Sequence, residues 1–223
     1  MRSSLYLQAA GLHLVVDTPP DFRMQALTYH VPRVDAVLFT HGHADHILGF
    51  DDIRRYNTIQ NQVIPVYASP DTVADINRIF DYMNHDHPPG VYRPQAEFHP
   101  VTAPFDVGAV RVRPFAVPHA RKITYGYRFD AEGHSVGYFP DCQRLSDEIV
   151  AELRGMDIMI LDALRRKPHS THLSLEESVE RLGKIGARRS YLVHMCHDLD
   201  HETTQQSLPP SIAVAYDGLS VEC

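Results

Sequence analysis

Short apolar runs, separated by polar segments that contain glycine or proline, recur along the chain and predict a fold rich in β-strands. They cover residues 3–17, 34–40, 110–117, 135–139, 157–161, 189–193 and 212–216. Helices are predicted near 145–154 and 174–185, and another is predicted to begin at Ser69-Pro70-Asp71, where proline occupies the first helical position. Ser174-Leu175-Glu176-Glu177 has the serine and glutamate spacing of a capping box, which fixes the start of the helix near 174–185.

The densest group of chemically active side chains directly follows the run at 34–40. His41-Gly42-His43-Ala44-Asp45-His46 places three imidazoles and one carboxylate within six residues. Neutral imidazole and ionised carboxylate are the ligands that hold divalent zinc, manganese or iron. His41 and His43 alternate with Gly42 and can point the same way, whereas Asp45 and His46 can reach a second position. The spacing therefore predicts two metal ions.

Further candidate ligands stand where later apolar runs stop. His119, Asp141, Asp162 and His194 follow the runs at 110–117, 135–139, 157–161 and 189–193, respectively. Because strands deliver such residues to one edge of a sheet, the recurrence predicts a shared site. A single histidine in such a place is more often an ordinary polar residue than a ligand, so the prediction depends on the joint pattern.

These residues together resemble the metallo-β-lactamase superfamily. Five segments resemble its phosphodiesterase branch, which includes the phosphoribosyl cyclic phosphodiesterase of the carbon–phosphorus lyase pathway: VVDTPPD at 15–21, THGHADHILGFDDIR at 40–54, THLS at 171–174, HMCHDLD at 194–200 and YDGL at 216–219. The resemblance implies an α/β fold, a four-layer αββα metallo-β-lactamase-like sandwich, formed by a single metallo-hydrolase domain over residues 1–223.

The same resemblance implies a division of ligands between two divalent ions per chain, either zinc or manganese, with iron as a further choice. Metal one takes His41, His43 and His119, metal two takes Asp45, His46 and His194, and Asp141 bridges both. Two ions held in this way can lower the pKa of water from about 15.7 towards about 7 and bind the oxygens of a phosphodiester.

Other residues have implied roles beside the metals. His172 and Asp45 are the expected catalytic residues, with His172 as the proton donor to the leaving oxygen. Asp17 and Asp162 are expected to orient ligands from behind. Arg54 is a candidate contact for substrate phosphate, although an arginine among acidic neighbours on a helix more often pairs with them.

Composition and net charge limit the classes of binding partner that we expect for this chain. The net charge of −7 argues against a long nucleic-acid track, since the basic clusters at 165–167 and 188–189 are short and predicted to be solvated. No run approaches the ~18 apolar residues of a membrane span, and no signal peptide is visible. Cys142, Cys196 and Cys223 form no paired motif, which favours a reducing cytoplasm. The expected partner is a small phosphodiester substrate, and a homodimer is one expected assembly.

The start of the chain departs from the resemblance. Relatives in this branch usually carry an extra first strand and a Gly- and Cys-rich loop before the segment matched by residues 2–5. In some of them that loop binds a structural zinc together with a histidine at the position of His197. We expect this strand and loop to be missing here, through genuine loss or through a start codon assigned too late.

Several alternatives stay open. A different hydrolase on the same fold could act on a lactone, a thioester or an RNA end. A mononuclear iron dioxygenase would not need the second set of Asp45, His46 and His194, and a non-catalytic metal-binding or partner-binding protein is a further alternative. The loop at 84–90 is predicted to be solvated. The alternative is that it forms a lid that brings His85 and His87 to the site.

Overall fold

The structure, a computed structural model, describes residues 1–88 and 90–223, which form two compact units, Met1–Gly108 and Ala109–Cys223. The strands of the first unit are β1 (Leu5–Ala9), β2 (Leu12–Val16), β3 (Ala36–Leu38), β4 (Ile64–Ala68), β5 (Ala96–Pro100) and β6 (Phe105–Val107). Its helices are α1 (Phe22–Thr28), α2 (Ala44–Ile47), α3 (Ile53–Gln60) and α4 (Pro70–Ile79), with 3₁₀ turns at Phe50–Asp52 and Asp81–Asn84.

The second unit alternates strands and helices in its later part. Its strands are β7 (Val110–His119), β8 (Lys122–Ala131), β9 (His134–Phe139), β10 (Ile158–Asp162), β11 (Arg189–Val193) and β12 (Ile212–Val214). Its helices are α5 (Asp147–Glu152), α6 (Leu175–Ile185) and α7 (His201–Gln206). None of the helices described in either unit combines the length and the apolar character that crossing a bilayer requires.

The first sheet has the strand order β1-β2-β3-β4-β5. Its β1 and β2 are antiparallel, and β2 to β5 run parallel. The predicted strand region at 3–17 is therefore a hairpin, which turns at Ala10-Gly11 with φ of 50° and 74°. Val16 stands opposite Leu38 in the register of β2 and β3, so the segments that follow these two strands leave the sheet side by side.

In the second sheet, β7 to β12 have the order β12-β11-β10-β9-β8-β7. The pairs β7–β8 and β8–β9 are antiparallel, whereas β9, β10, β11 and β12 run parallel. Parallel strands end at the same edge of a sheet. Asp141 and His194 follow β9 and β11, and Asp162 is the last residue of β10, so the predicted strand ends are confirmed at this edge.

Each unit has its own hydrophobic core. In the first unit, Phe39, Ile47, Phe50 and Ile53 are among the fully buried side chains that pack together. The core of the second unit includes Leu161, Leu182, Ile185 and Leu192. Since each sheet carries its own packed layer of apolar side chains, the loops that hold the predicted ligands start from rigid strands.

Two predicted helix starts are confirmed in detail. The Ser69 hydroxyl accepts a hydrogen bond from the Thr72 amide at 3.2 Å, and Pro70 is the first residue of α4. Ser174 and Glu177 form the reciprocal capping box at the start of α6. These caps satisfy amides that the first turn of a helix leaves without helical partners. The capping box also fixes the chain just after His172.

Candidate metal centre

The first group of predicted ligands lies at the end of β3 and in α2, a helix of one turn. His43 is the N-cap of α2, and Asp45 and His46 lie within the helix. His41 Nε2 lies 2.8 Å from His43 Nδ1, and His46 Nε2 lies 3.7 Å from Asp45 Oδ2. His41 and His46 are each 1% exposed. We call these four residues the first-unit cluster.

A buried carboxylate fixes the orientation of this cluster from behind. Asp17 accepts hydrogen bonds from the Thr40 amide and the Thr40 hydroxyl, both at 2.8 Å, and pairs with His46 Nδ1 at 2.8 Å. Since the Thr40 hydroxyl donates its hydrogen to Asp17, it must accept from His41 Nδ1, which lies 3.0 Å away. His41 therefore carries its hydrogen on Nδ1 and its lone pair on Nε2.

The second group of predicted ligands lies at the ends of β7, β9 and β11. Asp141 Oδ2 lies 3.3 Å from His119 Nε2, and Asp141 Oδ1 lies 3.2 Å from His194 Nε2. The carboxylate is 2% exposed and thus has one imidazole on each of its two oxygens. That arrangement suits a carboxylate that bridges two cations. Asp141, His119, His194 and the neighbouring His172 form what we call the second-unit cluster.

His172 stands among the other imidazoles of the second-unit cluster. Its ring stacks on His194 with centroids 4.9 Å apart, and it meets His119 edge-on with centroids 4.7 Å apart. Asp141, His172 and His194 each offer a ligand atom within 4.8 Å of the other two. His172 is therefore close enough to Asp141 to serve either as a metal ligand or as a proton donor beside the metals.

A second buried carboxylate supports His172. Asp162 Oδ2 lies 2.9 Å from His172 Nδ1 and accepts a hydrogen bond from the Cys142 amide at 3.0 Å. Burial raises the pKa of Asp162 well above its usual value, and that of Asp17 is raised for the same reason. Buried carboxylates are costly unless positive charge compensates them. Bound divalent cations would supply that charge, so each of these buried acids fits a nearby metal ion.

The backbone orients His119 without a carboxylate. His119 Nδ1 donates to the carbonyl oxygen of Thr171 at 2.9 Å, which leaves the lone pair on Nε2, the atom that faces Asp141. Burial lowers the pKa of His119, so the neutral imidazole that metal binding needs is favoured. The donor chemistry of both clusters thus matches a divalent metal.

Two residues of the predicted site have unusual backbone geometry. Asp17 has φ of 63° and His194 has φ of 60°, in the left-handed region that residues other than glycine rarely adopt. Such conformations cost free energy and concentrate at functional sites. They turn the chain sharply after β2 and β11, at the points where these side chains leave the sheets.

Sequence reasoning missed Asp75, which lies against the turn between His41 and His43. A Cβ atom added to Gly42 would stand 2.5 Å from Asp75 Oδ2 and 2.9 Å from Asp75 Cβ. Asp75 is half-buried on α4 and pairs with Arg78 at 3.2 Å. A glycine is needed at position 42 because this side chain occupies the space that any other residue would fill.

The remaining predicted residues lie at the surface. Arg54 pairs with Asp51 on the same helical segment, and it lines a cleft of about 280 Å³ together with Tyr92 and Arg93. This ion pair is the ordinary role considered for Arg54, and its contact with substrate phosphate stays a prediction. His197 has 96% of its side chain exposed and lies 3.6 Å from Asp198.

The two histidines of the 84–90 loop interact within their own segment. His85 Nε2 pairs with Asp81 Oδ2 at 2.8 Å, and His87 Nε2 lies 2.6 Å from the Tyr82 carbonyl oxygen. These local contacts agree with the solvated loop that the sequence favours. Among the described residues they hold both rings to the 3₁₀ turn at Asp81–Asn84.

Comparison with known proteins identifies the family. The profile described as "Beta-lactamase superfamily domain" matches residues 13–195, and the chain belongs to this superfamily. An octanoyltransferase from Porphyromonas gingivalis is 32% identical over 221 residues, which cover 97% of this chain and 44% of that protein. The chain thus spans less than half the length of this relative.

Two solved structures show the same fold. The crystal structure of a diphosphatase from the PhnP family is 38% identical, with a TM-score of 0.88 over 98% of this chain and 82% of the other. Zinc-bound PqqB from Methylobacterium extorquens is 23% identical, with a TM-score of 0.80 over 99% of this chain and 87% of the other. The predicted superfamily and the α/β fold with two sheets and helices are confirmed. In the part of the chain that the structure describes, histidines and aspartates form clusters suited to a divalent metal.

We predict that Gly42→Ala disturbs the metal site whereas Gly183→Ala does not. Alanine at position 42 collides with Asp75, and overpacking of this kind costs about 1–3 kcal/mol. Gly183 lies in α6 with no heavy atom near its missing Cβ, so alanine there should stabilise the helix by roughly 0.5–1 kcal/mol. Metal content by plasma emission spectroscopy and thermal unfolding measure both effects. Equal metal content in Gly42→Ala and wild type would contradict the prediction.

Proposed function

We propose that this chain is a metal-dependent hydrolase of phosphodiester bonds, with cyclic ribose phosphates among its substrates. The observation that carries the proposal is Asp141, whose two oxygens each face an imidazole, beside the His172–Asp162 pair. A site of this composition can bind cations and also hold a proton for a leaving group. The likeness to a PhnP-family diphosphatase supports phosphate chemistry over the other reactions of the superfamily.

The proposed ligand sets are those that the family resemblance implies. His41, His43 and His119 would hold metal one, Asp45, His46 and His194 would hold metal two, and Asp141 would serve both. Two divalent ions bound there would activate water and offset the charge that develops on the phosphoryl oxygens. Either zinc or manganese suits imidazole and carboxylate ligands, and iron is compatible with them.

The residues of the chain have separate tasks in this mechanism. Asp17, through Thr40 and His46, fixes the rings of the first-unit cluster before substrate arrives, so no reorientation is needed during the reaction. Thr171 does the same for His119 through its carbonyl oxygen. The preorganised donors keep their lone pairs directed at the place where cations bind.

His172 is the proposed proton donor to the departing oxygen. Its Nδ1 lies against Asp162, whose carboxylate stabilises the imidazolium form and holds the ring in one orientation. The imidazolium can then release the Nε2 proton to the alkoxide that leaves when the phosphorus–oxygen bond breaks. The neutral ring takes a proton back from water before the next turnover.

Diphosphate hydrolysis is the second candidate, because a relative of 38% identity is a diphosphatase. The two functions differ in the leaving group, which is an alkoxide for a phosphodiester and a phosphate for a diphosphate. A phosphate is stable as an anion and needs no proton donor, whereas an alkoxide does. The His172–Asp162 pair therefore favours the phosphodiester.

A substrate panel tests this choice directly. We expect purified protein loaded with manganese or zinc to hydrolyse a ribose cyclic phosphate with a higher kcat/KM than a nucleoside diphosphate, a lactone or a thioester. Release of phosphate monoester, followed by phosphorus NMR, measures the first reaction. Preference for the diphosphate would support the second candidate. Turnover of only the lactone or thioester would reject phosphate chemistry.

Metal content should approach about two equivalents per chain when the protein is purified without chelator. Asp141→Asn should lower it more than His43→Ala, because the amide weakens both proposed ion sites at once whereas His43 serves one. Asp130→Asn is the matched control, since this surface carboxylate pairs only with Arg128 among the contacts described. A firm value of one equivalent that His194→Ala leaves unchanged would contradict the dinuclear assignment.

The role of His172 predicts a dependence on the leaving group. His172→Ala should slow hydrolysis of a ribose cyclic phosphate by roughly 10²–10⁴-fold, the usual contribution of a general acid. It should slow bis-p-nitrophenyl phosphate much less, because nitrophenolate leaves without a proton. His134→Ala, at a half-exposed histidine beside Asp157, is the control. Equal losses on both substrates would reject the acid role, and loss of metal would place His172 among the ligands.

A further inference from the structure

The segment that carries Thr171 and His172 is a closed loop, residues 165–174. Its two ends meet where Arg165 and Ser174 form a parallel bridge. The Leu175 amide donates to the Arg165 carbonyl oxygen at 2.9 Å, and the Leu164 amide donates to that of Leu173 at 3.1 Å. The two ends of the loop are therefore held side by side, next to the capping box at the start of α6.

The outer part of this loop has little packing of its own. Arg166, Lys167, Pro168 and Ser170 are exposed, whereas Leu173 is 3% exposed and belongs to the core. Apolar burial therefore anchors the loop at its far end only. Polar contacts must hold the rest of it in one conformation, both inside the loop and from Arg166, Thr171 and His172 to residues outside it.

Arg165 supplies those contacts to the first half of the loop. Its Nε donates to the Lys167 carbonyl oxygen and its Nη2 to that of Pro168, both at 3.2 Å. A planar guanidinium can bind two carbonyl oxygens at once, which a lysine ammonium on a flexible stem does less well. Although the sequence predicted a solvated basic cluster at 165–167, the Arg165 side chain is turned back onto its own loop.

The second half of the loop continues the same chain of contacts. His169 Nδ1 accepts hydrogen bonds from the Thr171 amide at 3.3 Å and from the Thr171 hydroxyl at 3.0 Å. The Thr171 carbonyl oxygen accepts from His119 Nδ1, and the next residue, His172, meets Asp162. A displacement of the loop would therefore move the Thr171 carbonyl oxygen, which orients His119, together with the ring of His172.

We propose that Arg165 is a positioning residue, which holds the 165–174 loop so that Thr171 orients His119 and His172 faces the reaction. The effect on turnover rests on the proposed function, whereas the effect on the loop and on the imidazoles does not. Arg165 acts through other residues and need not touch the substrate.

The test compares Arg165→Ala and Arg165→Lys with Arg166→Ala. Arg166 is the matched control because it is adjacent and exposed, and its side chain bonds to Glu176 at 3.3 Å and Ser207 at 3.5 Å instead of to the loop itself. Hydrogen–deuterium exchange on metal-free protein reports the loop, and long-range nitrogen–hydrogen NMR reports the tautomer of His119. We expect both Arg165 variants to exchange faster over residues 166–173 and to lose the single Nδ1–H form of His119. Arg166→Ala should match wild type.

Zinc affinity and kinetics complete the test. Arg165→Ala should weaken zinc binding in competition with a chromogenic chelator by roughly 10–100-fold, the usual effect of removing support behind a ligand. It should lower kcat on a ribose cyclic phosphate with little change in KM, and Arg165→Lys should be intermediate. Unchanged exchange, tautomer and zinc affinity in folded Arg165→Lys would overturn the proposal. Absence of phosphodiester turnover in wild type would instead reject the proposed function and leave the loop measurements decisive.

Discussion

The placement of buried carboxylates behind imidazoles is the constraint on which the rest of the site depends. Asp17 and Asp162 are fully buried, and a carboxylate oxygen of each forms a hydrogen bond with a histidine Nδ1. An ionised carboxylate in such a place is tolerated only when hydrogen bonds and positive charge compensate its lost hydration. The same contact fixes the imidazole tautomer. The contact that stabilises the buried acid therefore also orients the imidazole.

This requirement fits the positions of Asp17, Asp141, Asp162 and His194 at or just after the ends of strands. A strand is rigid, and the residues at its end pass into a loop. Neighbouring strand ends can therefore place a buried acid and a histidine next to each other. The price is local backbone strain at Asp17 and His194, which adopt left-handed φ values. Close packing of Asp75 against Gly42 adds a steric limit at the ligand turn. Few substitutions fit these positions.

Much of the architecture could be predicted from local patterns. The apolar runs predicted the parallel strands of the second sheet, and the capping box at Ser174 predicted the start of α6. The motif at 41–46, with the later strand-end residues, predicted the superfamily. The hairpin at Ala10-Gly11 was not predicted, because it depends on which strands pair. The inward turn of Arg165 was not predicted either, because it depends on the direction of a side chain and on the path of its loop.

The sequence by itself determined which donors are present, in what order they follow the strands, and to which superfamily the chain belongs, because these depend on short spacings. Only the tertiary structure decided which atom faces which partner. His119 meets a carbonyl oxygen that lies 52 residues later, and His46 meets a carboxylate that lies 29 residues earlier. Such contacts follow from strand register and loop closure, which combine distant segments and which no local pattern encodes.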